Sequence, residues 1–187
     1  MQEAVLNNIL TRRSIRKFQS KPVPLEILEK IVEAGLYAPS ARNSQPWHFT
    51  VVAGLDRVAR ITAELKAAVA RMPDNPYRAV VGSAAYTVNY ANAPVFILVS
   101  AAPDSSPVVA ADCSLALGTM FLAAHALGIG SCWINQLGSA CGEPGFRAFL
   151  TQLGVPEKTT FTVAGPSALP RAILPPLLPA SPEALTM

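Results

Sequence analysis

The sequence predicts one mixed helix–strand domain whose sheet is not doubly wound, and three observations carry that prediction. Short β-rich apolar runs at 47–53, 94–100 and 159–164 are separated by longer stretches with apolar residues at helical spacing. The 187 residues suit one compact domain and leave no room for separate cofactor and substrate domains. Clean strand–helix–strand units are few, and Gly128-Ile129-Gly130 does not open a GxGxxG fingerprint. Trp133 stands where the third glycine belongs, and the pair follows a helix instead of a strand.

Taken in order, residues 2–10 read as a short first helix, followed by Thr11 to Phe18 and a Lys21-Pro22-Val23-Pro24 break. Pro24 suits the first turn of the next helix. Leu25, Leu28, Ile31, Val32 and Leu36 recur at helical spacing, so 24–37 is an amphipathic helix with Glu26, Glu29, Lys30 and Glu33 outward. Residues 38–46 form a polar loop between Pro39 and Pro46, and WHFTVVA (47–53) reads as a core strand. Residues 55–71 are a third helix ended by Pro73 to Pro76, while 74–93 fit a lid, a short helix or an irregular crossover. PVFILVS (94–100) is a buried strand. Asp112 is placed to cap a long apolar helix running to Leu127, with Gly128 as its stop. GSCWINQL (130–137) resembles a third strand with its loop, 143–153 a short helix, and TTFTVA (159–164) a last strand. Beyond it lies a proline-rich tail, so the division expected is a domain over 1–165 and a tail over 166–187. There are no internal repeats.

Composition narrows the function. The chain is 51% apolar and only 14% charged, against roughly 25% charge in an ordinary soluble domain, which excludes a disordered protein. So little charge predicts that some apolar surface is covered by a partner or a ligand. A net charge of +3 is too small an excess to point to nucleic acid. Its placement says more: Arg12, Arg13, Arg16, Lys17 and Lys21 fall within ten residues, and no acid occurs between Glu3 and Glu26, so this stretch can hold an anion. Cys113, Cys132 and Cys141 show no metal-ligand spacing with His48 or His125, and read as reduced thiols of a cytoplasmic protein without a metal site. The start lacks the basic-then-apolar pattern of a signal peptide. No Asp, Glu, Lys or Arg occurs from Cys113 to Gly142. Its polar interruptions and missing basic flanks favour a fully buried central helix over a membrane span.

Three stretches can carry chemistry. If Arg12-Arg13-Ser14-Ile15-Arg16 is extended, period two puts Arg12, Ser14 and Arg16 on one face, a donor set suited to phosphate; the alternative is a solvated basic loop after a helix. The loop Pro39-Ser40-Ala41-Arg42-Asn43-Ser44-Gln45-Pro46 offers a hydroxyl and two carboxamides that can hydrogen-bond a planar heterocycle, or it is an ordinary turn. Gly128 to Trp133 either lets backbone approach a flat ligand or is a helix stop before a strand whose Trp133 packs in the core. His48, between two aromatics, reads as a satisfied core histidine. No Ser/His/Asp order, Walker lysine or paired carboxylate accompanies these stretches, and a phosphate clamp without catalytic side chains suggests that a bound cofactor does the chemistry.

Together, RRSIRKF (12–18), APSARNSQPWHF (38–49), NAPVFILVS (92–100) and LAAHALGIGSCWINQL (122–137) resemble the nitroreductase family of FMN-dependent oxidoreductases, in its short single-domain branch. The resemblance runs from about residue 4 to 165. It implies a three-layer α+β fold with a mainly antiparallel central sheet, in an intertwined homodimer with two FMN sites at the interface. It also implies that Arg12, Arg13, Ser14 and Arg16 hold the phosphate and ribityl chain. Pro39, Ser40, Ala41 and Asn43 of the other subunit would line the isoalloxazine ring, approached by Gly130 and Ser131 of the first. Arg171 is the sole cation after Lys158 and so the candidate for the family's C-terminal phosphate contact. The implied reaction passes a hydride from NAD(P)H through flavin N5 to a nitroaromatic, quinone or similar acceptor. The alternatives are other flavin chemistry on the same fold, namely flavin reduction, ene reduction or reductive dehalogenation, or a flavin-storage protein that closes its cleft with 74–93.

Overall fold

The computed structural model describes residues 2–88 and 92–168. Along the chain run α1 (Gln2–Thr11), α2 (Leu25–Leu36), β1 (His48–Ala53), α3 (Leu55–Ala70), α4 (Arg78–Gly82), β2 (Val95–Ala101), α5 (Val109–Ala126), β3 (Gly130–Ser131), α6 (Pro144–Gln152) and β4 (Thr160–Ala168), with 3-10 turns at Ala41–Asn43 and Gln136–Ala140.

The strands form one sheet in the order β1-β2-β4-β3, and every neighbouring pair is antiparallel. β2 is buried along its whole length, as a strand apolar at every position but Ser100 favours. Its side chains alternate between two cores. Phe96 and Leu98 join Val52 with Val58, Ile61 and Leu65 of α3 and Phe146, Phe149 and Leu150 of α6. Val95, Ile97, Val99 and Ala101 face Leu28 and Ile31 of α2 and Cys113, Ala116, Leu117 and Met120 of α5. Period two in one strand therefore separates the two helical layers, α2 and α5 on one face, α3 and α6 on the other.

Several expectations are corrected. WHFTVVA forms an edge strand, not a core one, and only Thr50 and Val52 are buried on β1 itself. Its His48 is exposed and shares a hydrogen bond of 3.2 Å with the Gly154 carbonyl, so it is no core histidine. Pro24 lies just before α2, where its carbonyl accepts from the Ile27 and Leu28 amides, instead of within the first turn. The run 130–137 holds only a two-residue strand before it turns into the 3-10 segment, because β3 reaches β4 solely through Gly130 and Ser131. Residues 74–93 contain the short α4. β4 continues to Ala168, past the division expected at 165, with a register shift opposite Val99 and Ser100. Arg171 and residues 169–187 lie outside the described residues.

The long apolar helix is the most informative correction. α5 is long and apolar enough to cross a bilayer, yet one stripe of it (Cys113, Ala116, Leu117, Met120, Ala124) packs on the sheet and α2. Only 33% of it is buried, and Leu115 is 48% exposed. The expected fully buried helix is thus covered on one side within a single chain. Gly128, with φ +75°, ends it as expected.

Candidate functional site

The basic stretch leaves α1 beside the C-terminal end of α5. Asn8 Nδ2 donates to the Leu122 carbonyl (3.0 Å), Thr11 Oγ1 and His125 Nε2 share a hydrogen bond of 2.9 Å, and the Arg12 guanidinium lies 6.0 Å from the centroid of the Phe121 ring. Burial, with the charges of Arg12 and Arg13 added, holds the His125 imidazole below its ordinary pKa, so this corner is neutral at His125 and cationic at the arginines near pH 7.

Residues 12–17 do not form a regular strand. Ser14 makes one parallel bridge to Ser131, and the Ile15 amide donates to the Ser131 carbonyl (2.9 Å). Gly130 is needed here for a reason the sequence reading did not supply. A Cβ at 130 would stand 3.0 Å from Ile15 Cβ and Cγ1, so its close approach is to Ile15 of the same chain. The bridge sets Ser14 and Ile15 beside Ser131 and Gly130. Arg13 spends part of its donor set on the end of α1, with Nη1 donating to the carbonyls of Leu10 (2.6 Å) and Arg12 (2.7 Å).

Arg16 lines a cavity of about 440 Å³ with Val80, Ala85, Tyr86, Thr87, Ile134 and Gln136. This volume lies within the range of ligand pockets. Its walls come from α4 and the turn after it and from the stretch following β3. Gln136 Oε1 is buried there without a hydrogen-bond donor among the described residues. Sequence reasoning missed Tyr86 and Thr87, which sit in no motif, and Gln136, which lies in the 122–137 stretch but was given no role there. Trp133, at 38% exposed, does not pack in the core.

The loop after α2 is built on backbone that side chains seldom adopt. Arg42 (φ 55°), Asn43 (φ 54°) and Gln45 (φ 45°) all lie in the left-handed region. Ser40 Oγ accepts from the Gln45 amide (2.9 Å), the Ser40 carbonyl accepts from the Asn43 amide (3.0 Å), and Gln45 Nε2 donates to Asn43 Oδ1 (2.9 Å). The loop is tied to the opposite end of α5: the Ala41 amide donates to Asp112 Oδ1 (2.9 Å). Asp112 is 2% exposed, lies in the first turn of α5, and also accepts from Ser106 Oγ. It is therefore an anchor for the loop and not the expected helix cap, which falls at Val108. It is the only acid between Asp104 and Glu143, the one signal by which the sequence could have marked it.

The structure thus does not bring Pro39, Ser40, Ala41 and Asn43 to the arginines within one chain. Asp112 and His125 are thirteen residues apart in sequence, so at 1.5 Å per residue the anchor of the loop and the contact with Thr11 stand about 20 Å apart along α5.

A sequence model described as the nitroreductase family matches residues 9–165. A provisionally named NADH dehydrogenase/NAD(P)H nitroreductase of Methanothermobacter thermautotrophicus is 36% identical over 132 residues, 69% of this chain and 59% of that protein, so the chain spans less than two thirds of this relative's length. Among solved structures, a nitroreductase with bound FMN from Bacteroides fragilis superposes with a TM-score of 0.89 at 37% identity, covering 98% of this chain and 97% of that one. A nitroreductase with bound FMN from Desulfitobacterium hafniense gives a TM-score of 0.83 at 28% identity, covering 100% and 99%.

Proposed function

The chain belongs to the nitroreductase family, and from that premise we propose that it is a homodimeric FMN-dependent oxidoreductase that passes a hydride from NADH or NADPH to a nitroaromatic, quinone or similar acceptor. The observation that carries the reading is the separation of the half-sites along α5. A phosphate clamp and a ring-facing loop fixed about 20 Å apart on one helix make a single site only when the loop comes from a second copy. The surface left uncovered by one chain supports this: Val5, Leu6, Ile9 and Leu10 of α1 and Leu115 of α5 are all exposed.

The residues suit the cofactor. Arg12 and Arg16, with the remaining donors of Arg13 and the Ser14 hydroxyl, match a phosphate monoester, and Arg171 is the further candidate cation. The cavity beside Arg16, lined by Gln136 and Thr87, lies within the size range of ligand pockets. Pro39, Ser40, Ala41 and Asn43 would face the ring from the partner subunit, with Gly130 and Ser131 on the clamp's side. When bound, FMN supplies the two-electron chemistry between nicotinamide and acceptor. The protein's part is to bind the phosphate, fix the ring between two chains, and shape the cleft with Val80, Tyr86 and Thr87 for a flat acceptor. The FMN-bound relatives agree with this reading. The FMN-binding domain would comprise the chain through β4, followed by the proline-rich tail, in a cytoplasmic protein.

Purified protein is expected to be yellow, to release FMN on denaturation, to have the mass of a dimer, and to have its flavin reduced rapidly by NADH or NADPH in stopped flow. Colourless protein that fails to bind added FMN would overturn the proposal. Bound flavin that NAD(P)H reduces slowly or not at all would make the protein a flavin store instead of an enzyme.

A further inference from the structure

We propose that Asp112 is a positioning residue for the flavin ring, acting through the 40–45 loop on the site whose phosphate clamp belongs to the other subunit. The inference rests on the composite site proposed above and adds a residue to it. A carboxylate 2% exposed inside an apolar stretch is costly to bury, and both its oxygens are engaged. One accepts from the Ala41 amide at 2.9 Å. The other accepts from Ser106 Oγ, which itself accepts from the Val108 amide at 3.2 Å. Asp112 therefore ties three segments together: the start of α5, the turn before it, and the first residue of the 3-10 turn that carries Ala41 and Asn43.

That turn needs an external anchor. Its left-handed residues Arg42, Asn43 and Gln45 cost conformational energy, and their own hydrogen bonds close the loop on itself without fixing it to the body of the protein. Among the described residues, the Ala41 amide on Asp112 is the hydrogen bond that ties the turn to α5. A charge-assisted bond of this kind fixes the position of Ala41, and with it the direction in which the Asn43 carboxamide is offered. Asp112 touches no ligand in this scheme; it sets where the ring-facing groups stand.

Because the loop and the clamp of one site come from different chains, the prediction can be read by mixing variants. Asp112→Ala should weaken FMN binding about ten- to hundredfold while leaving a folded dimer. Arg16→Ala should weaken it from the clamp side. When the two variant proteins are mixed and allowed to exchange subunits, statistical pairing makes about half the dimers mixed. Each mixed dimer holds one site with an intact clamp from the Asp112→Ala chain and an intact loop from the Arg16→Ala chain. About a quarter of all sites should regain wild-type FMN affinity and visible flavin absorbance.

No recovery from two folded, exchanging dimers overturns the proposal, since it would mean that Asp112 serves its own chain's clamp or the fold at large. Wild-type affinity in Asp112→Ala alone overturns it as well. Should Asp112→Ala fail to fold, Ala41→Pro removes the other end of the same hydrogen bond. Ser40, at φ −142° and ψ 154°, already has the backbone that precedes a proline, and the same mixing test applies. Wild-type protein that is monomeric or binds no FMN would instead refute the composite site itself, and that control is measured first.

Discussion

Gly130→Ala tests the contact that joins the basic stretch to β3. The added Cβ would stand 3.0 Å from Ile15 Cβ and Cγ1 and 3.1 Å from Cγ2, several tenths of an ångström inside ordinary contact. Ile15 is β-branched and stiff, and its amide is held to the Ser131 carbonyl at 2.9 Å, so neither side chain nor backbone can yield alone. Overpacking of this kind costs about 1–3 kcal/mol, and stretching the Ile15–Ser131 hydrogen bond costs about 1 kcal/mol more. Urea unfolding of the apoprotein should therefore show a loss of about 2–4 kcal/mol. FMN affinity, measured by flavin fluorescence quenching, should fall as well, because Ser14 and Arg16 flank the displaced residue. Ile15→Ala removes Cγ1 and Cγ2, so the double variant should be more stable than the sum of the single effects predicts, by about 1 kcal/mol. Stability and FMN affinity both equal to wild type in Gly130→Ala, or strict additivity in the cycle, would show that Gly130 is not held by Ile15.

The remaining predictions concern charge and assembly. Arg16→Ala should weaken FMN binding by about 1.5–3 kcal/mol, the cost of one charged hydrogen bond, as read by equilibrium dialysis; unchanged affinity would remove Arg16 from the site. Arg71 holds Glu143 at a pKa of about 2 by a bidentate contact (2.8 and 2.9 Å). The folded state thus binds fewer protons than the unfolded one between pH 4.5 and 2, and the stability this pair contributes is full above pH 4.5 and is lost as the pH falls toward 2. Glu143→Gln should flatten that acid limb in denaturation curves. Leu115→Glu places a charge on the uncovered side of α5 and should yield a monomer by sedimentation, with FMN lost although no clamp or loop residue has changed.

The elements were legible where one force dominated. β2 declared itself by an apolar run, broken only by Ser100, that satisfies two cores at once, and α2 and α3 by helical periodicity, each against its own face of the sheet. β1 and α5 were misjudged for a shared reason. Apolar sequence reports that a segment will be covered, not that its own chain covers it, so Val51 and Leu115 look like core residues until the single chain is seen to leave them open. The basic stretch was legible because cations clustered without acids are locally conspicuous. Asp112 was visible only as a helix cap, since its partner Ala41 lies 71 positions away and an alanine amide leaves no trace in a sequence. Gln136 and Tyr86 were invisible because a cavity wall assembled from α4 and the turn after β3 has no period.

α5 gives these separate facts one mechanical origin. Its first turn holds the 40–45 loop through Asp112, and its last turns meet Arg12 and Thr11 through Phe121 and His125. The two half-sites of a chain therefore move as one rigid body with the helix. In the proposed two-fold dimer each complete site would then depend on the register of one α5 against its partner, because loop and clamp would come from different copies. Such a dimer would explain why a helix with no Lys, Arg, Asp or Glu after Asp112 is tolerated in a chain that is 14% charged. Close apolar packing on its uncovered side is what can set the register, whereas long charged side chains would leave the ring and phosphate halves free to shift against each other. On the proposed dimer, the shortage of charge in the composition and the splitting of the site would be consequences of the same requirement.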